Sequence, residues 1–188
     1  MLRGMAPIAL PGQSPPNASF EVPLEMLAAC HQRIARQCDT LGRLLPHLAA
    51  HGADRQAQQA AQAVLRYFDQ AAVDHHADEE HDLFPALRES MAGSDAVCLR
   101  ELIDVLTQQH RALEAHWRAL RRALLPVAAG ESAKVDAALV ERMVAAYAEH
   151  TALEERELLP LAERLLSDDA LDSLGQAMRR RRGIALPD

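Results

Sequence analysis

Two segments of the chain repeat one pattern of residues that can bind a metal ion. Residues 75–85 and 150–160 both follow H-x-x-x-E-E-x-(D/E)-L-(F/L)-P. Successive residues of an α-helix are about 100° apart, so a glutamate four residues after a histidine lies about 40° from it on the same face. The pattern pairs His75 with Glu79 and His150 with Glu154. Because it occurs twice, we expect a metal site built from two related halves.

Two further histidines extend this set of candidate ligands. His31 and His110 each stand alone within the apolar stripe of another predicted helix. Burying imidazoles and carboxylates without partners would cost several kcal/mol for each charged group, and a shared cation would offset that cost. Four imidazoles and two carboxylates exceed the needs of one tetrahedral zinc ion, and they favour two five- or six-coordinate ions bridged by Glu79 and Glu154. Such nitrogen and oxygen ligands suit iron, manganese or zinc.

The helices that must carry these residues follow from the spacing of apolar side chains. The spacing predicts four long helices, at about 22–50, 53–91, 95–124 and 132–165, and a shorter one at 168–182 that Ser167 would cap. Short loops between the long helices favour antiparallel neighbours. When His31 is aligned with His110, and His75 with His150, apolar positions of the first two helices coincide with apolar positions of the next two. We therefore predict an all-α protein, an antiparallel up-down four-helix bundle with a short fifth C-terminal helix.

Composition bounds the domains and the partners of the protein. We divide the chain into a disordered or extended N-terminal arm at 1–20, a four-helix bundle at 21–166, and a C-terminal helix and tail at 167–188. The arm has no apolar stretch typical of a signal peptide, which predicts a cytoplasmic protein. A net charge of −7 argues against a nucleic-acid partner. No apolar run reaches the ~18 residues needed to span a bilayer, so we expect no membrane partner.

Several enzyme classes find no support in the sequence. The chain contains neither G-x-S-x-G nor G-x-x-x-x-G-K, and we predict no catalytic residue. Glu-x-x-His, the ligand pair of ferritin-like di-iron bundles, is also absent, which weakens the case for ferritin-like oxidation chemistry.

Both signatures and both lone histidines, in this order, resemble the hemerythrin-like HHE cation-binding family over about residues 25–166. The arginine-rich segment at 168–183 is similar to the extension of stand-alone bacterial members. The resemblance implies an antiparallel four-helix bundle with a non-haem di-iron centre bridged by Glu79 and Glu154. It also implies terminal ligation by four histidines, which are His31, His75, His110 and His150.

Glu114 marks a departure from the oxygen-carrying branch of this family. That branch has a second histidine four residues after the third-helix histidine, and here Glu114 follows His110 at that distance. The spacing makes Glu114 a candidate seventh metal ligand. An additional carboxylate would make the site more anionic and would argue against reversible oxygen carriage.

Other residues near the signatures have weaker predicted roles. His76 and Glu80 are four residues apart, but their stripe is rotated by about 100° toward charged positions, so we expect both to face solvent. Asp82 and Glu157 return to the ligand side and are candidates for accepting a hydrogen bond from an imidazole N–H.

These observations predict a cytoplasmic metal-binding protein, a monomer or a homodimer, that senses or sequesters iron, oxygen, nitric oxide or peroxide. Its expected cofactor is a pair of non-haem iron ions, with zinc or manganese as alternatives. A second hypothesis is a di-iron enzyme-like role in iron-sulfur cluster repair or nitric oxide reduction. A third is a zinc ion that only ties the bundle together.

Overall fold

The computed structural model describes residues 19–90 and 95–185, and every regular element within these ranges is helical. The helices are α1 (Pro23–His51), α2 (residues 55–90), α3 (Asp95–Ala128), α4 (residues 137–165) and α5 (Asp168–Arg181). The predicted all-α class, with four long helices and a short fifth one, is thereby confirmed. The predicted arm lies almost wholly outside the described residues, as do the last three residues of the tail.

Polar side chains cap the starts of three helices. Asp54, Asp136 and Ser167 each accept a hydrogen bond from a backbone N–H two or three residues further on. Such caps satisfy N–H groups that have no partner within the helix. The cap predicted at Ser167 is confirmed. Helix α4 begins at Ala137 rather than near the predicted Ser132, because Asp136 supplies its cap.

Helices α2 and α4 each contain a π-turn within the repeated signature. In Glu79–Leu83 and Glu154–Leu158 the carbonyl of the glutamate accepts a hydrogen bond from the N–H five residues later. A π-turn holds one residue more than an α-turn, so it rotates all later side chains by about 100° relative to a continuous α-helix. Pro85 and Pro160 follow shortly after, and their missing N–H already interrupts the α-helical hydrogen bonds there. Helix α2 has a further π-turn at Tyr67–Ala71.

The candidate metal ligands lie between two apolar clusters. The first cluster is made of buried apolar residues from α1, α2, α3 and α4. Those from α1 and α3 come after the lone histidine of their helix in the sequence, and those from α2 and α4 come before the signature histidine of theirs. The residues of the second cluster come before the lone histidine in α1 and α3 and after the signature histidine in α2 and α4. Leu174 and Met178 of α5 also pack into this cluster. Successive helices therefore run in opposite directions, and α1 and α3 each contact both α2 and α4. Within the described ranges, no helix is both long and apolar enough to cross a membrane.

Candidate metal centre

Six buried side chains from four helices converge between the two apolar clusters. They form two groups of four possible ligands, and within each group one ligand atom per residue lies within 4.8 Å of the others. The first group contains His31, His75, Glu79 and Glu154, and the second contains Glu79, His110, His150 and Glu154. Both carboxylates therefore belong to both groups. None of the six residues is more than 4% exposed.

Each shared carboxylate lies between one histidine of each group. Glu79 has Oε1 at 3.5 Å from Nε2 of His75 and Oε2 at 3.3 Å from Nε2 of His110. Glu154 has Oε2 at 3.1 Å from Nε2 of His31 and Oε1 at 3.1 Å from Nε2 of His150. The two oxygens of each carboxylate thus face different pairs of histidines.

Many polar atoms of this cluster are buried without a hydrogen bond among the described residues. Both carboxylate oxygens of Glu79 and of Glu154, both ring nitrogens of His75 and Nε2 of His31 are in this state. Native proteins rarely leave buried polar groups unsatisfied, because each costs about 1–3 kcal/mol and more when charged. A cation would accept the lone pairs of all these atoms, and imidazole with carboxylate is a common donor set for iron, manganese or zinc. The residues therefore fit a metal centre.

The electrostatics of the cluster also depend on a cation. Burial, together with the negative charge of Glu154, raises the pKa of Glu79 to about 8. Burial and the neighbouring His31 hold the pKa of His75 well below its usual value. Burial lowers the pKa of His110, but the nearby carboxylates of Glu154 and Glu79 outweigh it and raise the value to about 10. Without a cation, the cluster therefore holds protons on a carboxylate and an imidazole that would otherwise be ligands.

Three of the histidines are oriented by hydrogen bonds at their outer nitrogens. Nδ1 of His110 lies 2.7 Å from Glu80 Oε1, and Nδ1 of His31 lies 3.2 Å from Glu155 Oε1. Nδ1 of His150 lies 3.0 Å from Oε1 of Gln109, an amide acceptor. When Nδ1–H donates to such an acceptor, the lone pair of the imidazole is on Nε2, which points into the cluster.

The helical periodicity of the sequence does not predict these acceptors. Glu80 was expected to face solvent, but it accepts hydrogen bonds from His110 and from Arg111. The sequence feature that could have identified Glu80 and Glu155 is the Glu-Glu pair in each signature. The first glutamate of each pair lies in the cluster, and the second contacts the lone histidine of another helix. Asp82 and Glu157, the residues expected in this role, instead pair with Arg181 and Arg156.

Glu114 is not brought into either group of ligands. Its side chain is 47% exposed, and Nη1 of Arg111 donates to it at 2.8 Å. Helix α3 is a continuous α-helix over this stretch, with Leu113 buried and Glu114 on its outer side. The 40° step from His110 therefore points to the surface, and the predicted ligand role of Glu114 is wrong in this geometry.

His76 is also placed differently from its prediction. Its Nε2 is buried and has no hydrogen-bond partner among the described residues. The imidazole stacks on that of His110, with ring centroids 4.1 Å apart and an interplanar angle of 16°. His76, His110 and His150 form a third group of possible ligands. The expectation that His76 faces solvent is therefore wrong.

Comparison with known proteins agrees with this geometry. The model of the hemerythrin HHE cation binding domain matches residues 22–162, which include all six side chains of the two main groups. A protein of Haemophilus influenzae, described as uncharacterized, is 35% identical over 167 residues. That alignment covers 89% of this chain and 94% of the relative.

Proposed function

Since this chain belongs to the hemerythrin HHE cation-binding family, we propose that its buried cluster holds two non-haem iron ions. One observation carries the proposal: Glu79 and Glu154 each direct one oxygen toward each pair of histidines. Carboxylates placed in this way would hold both ions of a dinuclear centre. A single ion would leave one pair of buried histidines and two carboxylate oxygens without a partner.

Each ion would have its own histidines and share the carboxylates. His31 and His75 would hold one ion, and His110 and His150 the other. Counting both carboxylates, each ion would have four protein donors, which would leave coordination positions for solvent or a small molecule. Bound iron would supply a change of oxidation state at those positions. This supports a protein that senses or sequesters iron, oxygen, nitric oxide or peroxide.

The remaining contribution of the chain is to orient the ligands and to exclude water. Glu80, Glu155 and Gln109 keep the Nε2 lone pairs of their histidines directed at the cluster. Two of these acceptors are carboxylates, which make the imidazoles more basic and favour the more highly charged metal. The apolar clusters on both sides keep bulk water from the ligands. None of these roles requires a catalytic residue.

The direct test is metal quantitation on the full-length protein. We expect two irons per chain after expression with iron, one for each pair of histidines, and an absorption band of a bridged di-iron centre that dithionite bleaches. A Glu79→Ala variant should lose most of the iron, because it removes a ligand of both ions. A Glu114→Gln variant is the matched control and should retain both irons.

The same measurement separates the alternatives. A folded protein that binds no metal, or one ion per chain, would contradict the dinuclear proposal. Zinc-only occupancy without a redox response would instead support a structural role. A role in iron-sulfur cluster repair or nitric oxide reduction would require the loaded protein, but not Glu79→Ala, to restore a damaged cluster enzyme or to consume nitric oxide. The cytoplasmic location and the monomer or homodimer remain predictions.

A further inference from the structure

The two halves of the cluster differ at one position in a way that their shared signature does not predict. The residue after the signature histidine is His76 in α2 and Thr151 in α4. Only α2 has a π-turn before its signature, at Tyr67–Ala71, whereas α4 is regular over Ala137–Leu153. An additional histidine and an additional π-turn therefore occur together in the same half.

The π-turn explains how His76 reaches the interior. In a continuous α-helix, His76 would lie about 100° from His75, toward the charged face. The π-turn adds one residue upstream and rotates the following residues by about that angle relative to Phe68 and the preceding core positions. His75 is fully buried and Nε2 of His76 is buried as well, so both imidazoles are directed inward.

The surroundings of His76 combine ring stacking with a buried nitrogen that has no hydrogen-bond partner among the described residues. Its ring stacks on that of His110 and lies 5.7 Å from that of His150, centroid to centroid. Its Nε2 is buried without a hydrogen bond among the described residues, and one of its ring nitrogens lies within 4.8 Å of a ring nitrogen of each of these two residues. A buried imidazole nitrogen without a partner carries a cost of about 1–3 kcal/mol that a metal ion would remove.

We propose that His76 is a third imidazole ligand of the metal ion held by His110 and His150. This inference rests on the proposed dinuclear centre and adds to it that the two ions are inequivalent. One ion has three imidazoles and the shared carboxylates, whereas the ion beside His31 and His75 has two imidazoles and the same carboxylates. More coordination positions are then open to small molecules at the second ion.

Mössbauer spectroscopy of the full-length protein loaded with ⁵⁷Fe tests this inference. In the reduced wild-type protein we expect two quadrupole doublets of equal area, one for each ion. A His76→Phe variant keeps an aromatic ring against His110 but has no ligand nitrogen. It should lose the distinction between the doublets, and its affinity for one of the two irons should fall at least about tenfold in chelator competition.

Matched variants keep the test decisive. Thr151→Val changes the equivalent position of α4, and His81→Gln removes an exposed histidine of α2; both should retain the wild-type spectrum. His76→Gln provides a second variant if His76→Phe does not fold. Two irons bound with wild-type affinity and unchanged doublets in a folded His76 variant would overturn the ligand role, while the dinuclear centre would stand. Failure of the wild-type protein to bind two ions would contradict the dinuclear centre itself.

Discussion

Oε1 of Glu80 lies 2.7 Å from Nδ1 of His110, so that a residue of α2 orients a candidate ligand of α3. The other half repeats this contact between α4 and α1, where Oε1 of Glu155 lies 3.2 Å from Nδ1 of His31. The two glutamates occupy the same position of the repeated signature, next to Glu79 and Glu154. The signature therefore does more than supply ligands, because its second glutamate holds the lone histidine of a different helix.

We expect Glu80→Ala to weaken metal binding by about 10–100-fold, the usual cost of losing a partner that orients a ligand. Glu155→Ala should cost less, because the Glu155 side chain is 54% exposed and its contact is longer. Chelator competition with the purified protein measures both effects. Glu114→Ala removes an exposed glutamate near the same Arg111 and should leave the affinity unchanged. Equal affinities of the Glu80→Ala and Glu114→Ala proteins would contradict an orienting role for Glu80.

A second prediction concerns Asp78, which is fully buried next to Glu79. Arg181 and Arg182, at the end of α5, both donate hydrogen bonds to its carboxylate, and Nη2 of Arg182 does so at 2.6 Å. Arg182→Ala should lower the free energy of unfolding by about 2 kcal/mol. Replacing both arginines by alanine should cost about 3–5 kcal/mol, since it leaves a buried charge without a partner.

Urea denaturation of the Arg181 and Arg182 variants checks these values. Arg180→Ala, at an exposed position of the same helix, is the matched control and should change the unfolding free energy little. If the double variant were as stable as the control, the hydrogen bonds of Arg181 and Arg182 to Asp78 would not stabilise the packing of α5 on the bundle.

The sequence was sufficient for the helices and for the six buried side chains that converge in the cluster. The i, i+4 spacing within each signature and the lone histidines His31 and His110 depend only on regular helical periodicity. The π-turns change where a side chain points relative to the core positions upstream, and a regular helical period therefore places His76 and Glu80 in solvent. Glu114 was misplaced for another reason: α3 is regular, and a 40° step from a buried residue can lead either toward the cluster or toward the surface.

A third prediction tests how closely α5 packs on the start of the bundle. A Cβ atom added to Gly175 would lie 2.1 Å from the carbonyl oxygen of Phe20, closer than any real contact. Gly175→Ala should therefore force α5 away from this segment and destabilise the fold by about 1–3 kcal/mol.

Gly42 offers the matched control for this substitution. It lies within α1, and an added Cβ would have no atom within 4 Å. Gly42→Ala should stabilise the protein by about 0.5–1 kcal/mol, because alanine loses less conformational freedom in a helix. Thermal unfolding of the two variants should move in opposite directions, and a stabilised Gly175→Ala protein would contradict the close packing of α5.

A fourth prediction follows from the protons that the cluster holds without a metal. The pKa of Glu79 is raised to about 8 by burial and by the charge of Glu154, and that of His110 is raised to about 10, with Glu154 and Glu79 outweighing its burial. Both groups therefore hold their protons to higher pH than usual in the metal-free protein. A metal ion binds the deprotonated forms, so binding must release these protons.

Metal affinity should accordingly rise with pH. Between pH 6 and 8 we expect metal binding to release protons, with fewer released as the pH rises through the pKa of Glu79. Isothermal titration calorimetry in buffers of different ionisation enthalpy counts the protons directly. The Glu114→Gln protein should release the same number as the wild type, because Glu114 lies outside the cluster. An affinity that does not change over this pH range would mean that Glu79 and His110 are already deprotonated in the metal-free protein, and would contradict their raised pKa values.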